Sequence, residues 1–183
     1  MKRIYRFSIA AILIATTVAI SSCSAVYERR NPVGEAFPAV SAAALNEKPM
    51  AIPEDFAGKE VLLFVGYKQN SQFDIDRWLL GLAQMELRIP VYELPTIPGL
   101  LPGMFANFID NGMRSGIPEE DWGIVATIYD DAETVAKFLG NETPLPARVV
   151  LLNKNGKVAF FHDRGYSTST LMRLQEAIAI LRQ

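Results

Sequence analysis

Cysteine and histidine each occur once in the 183 residues, as Cys23 and His162. A single thiol excludes an internal disulfide, a C-x-x-C redox pair and a zinc–thiolate site. A lone histidine, with no serine or cysteine nucleophile at a recognisable spacing, falls short of a catalytic constellation. Positive charge is not in excess either: 18 Lys and Arg stand against 20 Asp and Glu, a formal net charge of −2. Nucleic acid asks for basic patches, so it is not an expected partner. No cofactor is expected, and no metal: the acidic run Glu119, Glu120 and Asp121 has no histidine beside it and reads as a solvated loop. Long hydrophobic runs are also missing, because the one extended uncharged apolar segment, residues 7–20, is too short for a comfortable membrane span.

That segment follows Lys2, Arg3 and Arg6, the charge-then-apolar order of a targeting peptide. Ile20-Ser21-Ser22-Cys23-Ser24 comes next and resembles the lipobox of bacterial lipoproteins. The resemblance implies cleavage after residue 22, acylation of Cys23 and a mature protein tethered to a bilayer by its lipid. More than one acyl chain gives stable anchoring where a single chain does not. Losing residues 1–22 removes three positive charges and no acid, which takes the net charge from −2 to −5. Ser24 lacks the aspartate that signals retention and points to the outer membrane, with the domain facing the periplasm.

Half of the residues are hydrophobic, enough for one sizeable core. Residues 24–58 show no sustained periodicity, and Pro32, Pro38, Pro49 and Pro53 interrupt them. They are expected to form a flexible tether with a short helix near residues 40–45. The domain proper is expected over residues 59–183. Its first strand, residues 61–65, is short, β-branched and aromatic and is closed by Gly66, the pattern of an interior strand covered on both faces. A polar turn of Lys68, Gln69, Asn70, Ser71 and Gln72 leads into a helix whose Ile75, Trp78, Leu79 and Leu82 form one apolar stripe, with Ser71 as its cap.

Residues 90–94 read as a second strand, and Pro98, Gly99, Pro102 and Gly103 force turns before a helix built on Met104, Phe105, Phe108, Ile109 and Met113. That helix is either an insertion packed on the sheet edge or a partner-binding lip, since methionine surfaces adapt to varied partners. Residues 123–129 read as a third strand. Asp130 or Asp131 caps the next helix, and Gly140 ends it. The last elements are a strand at 148–152, a two-residue Asn155-Gly156 turn, a strand at 157–162 and a helix opened by Ser167 or Thr168.

This order resembles the thioredoxin fold as used by peroxiredoxins and TlpA-type thiol proteins. ATIYDDAETVAKFLG is similar to their strand that ends in aspartate and leads to a glycine-closed helix, and PARVVLLNKNGKV to their hairpin. The resemblance implies an α/β protein: a central mixed sheet of about five strands flanked by helices, with a helical insertion. In that family a cysteine thiolate stands at the start of the first helix, where the dipole and backbone N–H groups lower its pKa. The matching positions here are Gln69, Asn70, Ser71 and Gln72, and none can form a thiolate. The family's cis-proline precedes the hairpin strand, with Pro144 or Pro146 standing nearest.

NGMRSGIPEE, the hairpin and Gly165-Tyr166-Ser167 are similar to cysteine-poor, thioredoxin-like assembly chaperones of the mitochondrial ATP synthase. This implies a scaffold serving protein assembly without redox chemistry. The expected function is a redox-inactive, lipid-anchored interaction or assembly factor with an envelope protein partner. The alternative is an enzyme or small-ligand carrier, in which the N-terminal amides of the first helix, Lys68 and Arg148 hold an anion and His162 joins them.

Overall fold

A computed structural model describes residues 25–99 and 102–183; the leader, Cys23 and Ser24 lie outside them. The elements run β1 Val40–Ala44, β2 Pro49–Ile52, β3 Val61–Gly66, α1 Gln72–Gln84, β4 Val91–Pro95, α2 Pro102–Arg114, β5 Ala126–Thr127, α3 Ala132–Leu139, β6 Arg148–Leu152, β7 Val158–His162 and α4 Thr168–Leu181. No helix among the described residues is long and apolar enough to cross a membrane.

The central sheet has the order β4-β3-β6-β7, with β3 parallel to β4 and antiparallel to β6, and β7 antiparallel to β6. It has four strands where about five were expected. Of the expected third strand only Ala126–Thr127 forms a ladder, and its partner is β1 in a second, antiparallel sheet of order β2-β1-β5. Single bridges from Glu93 to Val125 and from Thr96 to Ile128 stitch the two sheets together along the free edge of β4.

β3 is the axis of the fold. All five residues from Val61 to Val65 are 1% exposed or less, and their alternation sends successive side chains to opposite faces. Val61, Leu63 and Val65 join Val150, Leu152 and Val158 in one core, closed by α3 through Val135 and Leu139. Leu62 and Phe64 join Val149 and Leu151 in the other, closed by Ile75, Trp78 and Leu82 of α1 and by Leu171, Leu174 and Ile178 of α4.

The stretch expected to be a tether belongs to the first core. Phe37, Val40, Ala42, Ala44, Leu45, Ile52 and Phe56 are all buried, and the expected helix at 40–45 is strand β1, with Val40, Ala42 and Ala44 inward and Ser41 and Ala43 outward. The alanine-rich composition favours helix only locally. Pairing with β2 and β5 overrides it. The folded domain therefore begins well before residue 59.

Two expected caps work differently. Ser71 makes no cap hydrogen bond, and its buried hydroxyl donates to the Pro144 carbonyl at 3.3 Å. Asp131 likewise does not cap α3; its carboxylate accepts from the Ser41 backbone N–H at 2.7 Å and pins β1. Ser167 does cap α4, accepting from the Thr170 N–H. The hairpin turn is one residue longer than expected. Gly156 donates its N–H to the Asn153 carbonyl and lies at φ +71°, completing a three-residue connection. The one cis peptide bond among the described residues is Ile52–Pro53, so neither Pro144 nor Pro146 is cis.

Candidate functional site

The end of β3, the start of β6 and the start of α1 meet at one corner of the central sheet. β3 delivers the chain to Tyr67, a 3-10 turn covers Gln69–Ser71, and α1 begins at Gln72. Lys68, Gln69, Asn70 and Gln72 are exposed. They stand where the resemblance places a thiolate. The Gln72 side-chain amide donates to Asp76 at 3.0 Å and to Glu93 at 3.2 Å, which ties the turn to β4.

Arg148 does not reach this surface. Its side chain is 1% exposed, its Nε donates to the Gly140 carbonyl at 3.1 Å, and its Nη1 donates to the Thr143 and Pro146 carbonyls at 2.8 and 2.7 Å. Its guanidinium also lies 4.8 Å over the Tyr67 ring. Burial lowers the Arg148 pKa and raises that of the Tyr67 phenol. The expected anion-binding role of Arg148 is therefore corrected: its donors organise the chain from Gly140 to Pro146 from within.

Asp74 is the residue that sequence reasoning missed. It is 8% exposed, and its two carboxylate oxygens accept from the Ala147 N–H at 3.0 Å and the Tyr166 N–H at 2.7 Å. One side chain thus joins α1 to the start of β6 and to the β7–α4 connection. A signal was present, because Asp74 lies four residues before Trp78 and eight before Leu82, on the buried stripe where an acid needs partners.

Around Asp74 lies an open cleft of about 240 Å3, lined by Asn70, Phe73, Arg77, Leu145, Pro146 and Gly165. Phe73 and Leu145 are large apolar side chains that are 67% and 56% exposed on its walls. Among the described residues no thiol, hydroxyl or imidazole lines it. Two exposed apolar side chains thus stand around a polar floor that holds Asp74.

His162 is elsewhere. Its Nε2 must carry the proton, since its partner at 2.8 Å is the Gly165 carbonyl oxygen, which only accepts. Its ring packs edge-on to Trp78 at 5.8 Å. It lines a second cleft with Arg29 and Arg164, and the polar-turn residues are not among that cleft's walls. The expected helical insertion, α2, is fastened beside β5. Its Asp110 accepts from the Thr127 and Tyr129 hydroxyls, and its Arg114 donates to the Leu45 carbonyl at 2.7 Å, while Phe105 and Phe108 face solvent.

Glu93 carries a pH signature. Burial raises its carboxyl pKa above the usual range, with Asp76 and Asp121 adding to the rise and the Gln72 amide opposing it. An acid whose pKa is raised by folding holds its proton more tightly in the folded state, so it costs stability once pH exceeds its unfolded value near about 4.3. Glu93→Gln should therefore gain stability relative to the parent at pH 7, and the pH-dependent part of that gain should vanish below about pH 4. Paired urea melts at the two pH values check it.

No family model matches the chain, and no curated protein sequence matches it. Solved structures do. A SCO1/SenC family lipoprotein from Bacillus anthracis str. Ames aligns at a TM-score of 0.57 and 13% identity over 85% of this chain and 100% of that one. A thiol peroxidase from Chromobacterium violaceum aligns at 0.56 and 12%, over 85% and 92%. The thioredoxin domain of a thiol-disulfide oxidoreductase from Bacteroides vulgatus aligns at 0.51 and 18%, over 81% and 99%. The chain has the thioredoxin-like fold, and with one cysteine it carries no intrachain dithiol.

Proposed function

We propose that this protein is a redox-inactive member of the thioredoxin-like fold, anchored by acylated Cys23 to the bacterial envelope, that binds a protein partner through the cleft at the start of α1. The observation that carries this reading is a substitution of one surface for another. Where the fold's thiol chemistry would reside, Gln69, Asn70, Ser71 and Gln72 border exposed Phe73 and Leu145. Exposed aromatic and aliphatic anchors around a desolvatable hollow are what protein interfaces use for affinity. The carrier or enzyme alternative has less support, because Arg148 is turned inward and His162 lines a different cleft.

The anchor is supported by the basic start, the apolar run of residues 7–20 and the sequence around Cys23. A lipoprotein among the fold neighbours is consistent with it. Ser24 favours the outer membrane. Cys23→Ser should move the protein out of the sedimented membrane fraction without changing its melting temperature. An unchanged membrane fraction sinks the anchor.

The binding surface is tested by native co-purification from detergent-solubilised envelopes. Phe73→Glu with Leu145→Glu should lose proteins that the parent retains, while Ile180→Glu, at an exposed position on α4, keeps them. Identical sets from all three would refute the surface.

A further inference from the structure

Four arginines surround an open cleft of about 470 Å3 near the end of β7. Arg29 and Arg30 come from the N-terminal strip, Arg164 from the β7–α4 connection and Arg173 from α4. One carboxylate, Asp163, stands among them, and it is buried. Arg29 consumes it: Nε donates to one oxygen at 2.6 Å and Nη2 to the other at 2.9 Å. Arg30 is paired with Glu35 and lies 5.3 Å over the Phe138 ring. Two guanidiniums are thereby held in place.

The other two are uncompensated. Among the described residues neither Arg164 nor Arg173 makes an ion pair, and the hydrogen bond of Arg173 goes to the neutral Thr170 hydroxyl at 3.2 Å. Both side chains are exposed. With Arg29 matched by Asp163 and Arg30 by Glu35, Arg164 and Arg173 are the surplus that focuses positive potential into the hollow and attracts an anion. The surplus is local, since the whole chain is net acidic.

We propose that this cleft binds a phosphate ester, with Arg164 and Arg173 gripping its oxygens beside the fixed Arg29. Guanidinium forks match phosphate oxygens two at a time, and a tetrahedral phosphate offers oxygens to more than one fork. A planar carboxylate is satisfied by a single fork and leaves the second arginine uncompensated. Phe161 supplies an apolar wall for the organic part of the ester.

The ester is either the headgroup of an anionic phospholipid or a soluble metabolite. Arg29 follows Cys23 by six positions, so the connecting chain spans at most about 20 Å. An acylated Cys23 would hold the cleft within that reach of a bilayer, where cationic residues meet anionic headgroups. The lipid source rests on the proposed acylation; the anion site does not.

The test follows arginine Nε–Hε resonances of the full chain in zwitterionic micelles. It titrates glycerol 3-phosphate and, separately, short-chain phosphatidylglycerol, with short-chain phosphatidylcholine as the neutral counterpart. The Arg164 and Arg173 signals should shift and saturate with at least one of the first two probes and stay unmoved by the third. Arg164→Gln with Arg173→Gln should weaken that binding by about tenfold or more, and Arg164→Gln alone, at an exposed loop position, by a smaller factor. Saturation by glycerol 3-phosphate assigns a soluble ester, and saturation by phosphatidylglycerol alone assigns a headgroup; both support the site. A chain that fails to sediment with membranes but saturates with glycerol 3-phosphate removes only the lipid source. Resonances that respond to neither phosphate probe overturn the proposal, as does a double variant that binds as tightly as the parent.

Discussion

Removing residues 25–58 should leave a chain that does not fold. Phe37, Val40, Leu45, Ile52 and Phe56 are between 0% and 6% exposed, and burying a large apolar side chain contributes roughly 1.5–3 kcal/mol. Five such residues amount to something on the order of 10 kcal/mol, comparable to the whole stability of an ordinary domain, about 5–15 kcal/mol. The deletion would also uncover Leu63, Val65 and Val150, which share that core, and would strip β5 of β1, its one ladder partner among the described residues. Circular dichroism and amide shift dispersion of the deleted chain read the result directly. A cooperative melt with dispersed amide signals would show that the segment is the tether its prolines suggest.

Asp74→Ala should cost about 3–6 kcal/mol, since it strips two backbone donors of a charged acceptor, each such hydrogen bond being worth about 1.5–3 kcal/mol. The Ala147 N–H is buried and has no ready replacement, whereas the part-buried Tyr166 N–H can recover some solvation. Asp74→Asn keeps the shape but offers one acceptor oxygen instead of two, so it should recover part of the loss. The urea midpoint measures both. The functional consequence is separate from the energetic one: Asp74 holds Pro146 and Gly165 against α1, so the cleft should widen before the domain unfolds. Hydrogen exchange should show it first at Ala147 and Tyr166. A midpoint unchanged in Asp74→Ala would remove Asp74 from the account.

The interior strand was legible because its physics is local. Five consecutive apolar residues closed by glycine have few alternatives, and every one of Val61 to Val65 is buried. The same holds for the stripe on α1 and for the Ser167 cap, which depend on neighbours a few positions away. β1 and β2 were not legible. Each is five residues or fewer, β1 is mostly alanine, β2 opens on Pro49, and the partner of Ala43 is Thr127, far along the chain. No window of sequence contains the information that buries them.

The site divides in the same way. The missing thiol at the start of α1 could be read from identity alone, and the exposed polar turn follows from composition. The inward aim of Arg148 could not, because it is decided by three carbonyls of the chain between Gly140 and Pro146. Asp131 shows the converse error. An aspartate before a helix is ordinarily a cap, yet here a distant donor, the Ser41 N–H, claims it. Local rules hold until a long-range partner offers a better bond.

The central claim is that the corner vacated by the thiol has become a contact surface. Photo-crosslinking in living cells tests it most directly, with a benzophenone side chain placed at Phe73, at Leu145 and, as a remote control, at Ile180. The account predicts the same discrete protein adduct from Phe73 and Leu145 and none from Ile180. Adducts absent from both corner positions, or equally strong from all three, would contradict it.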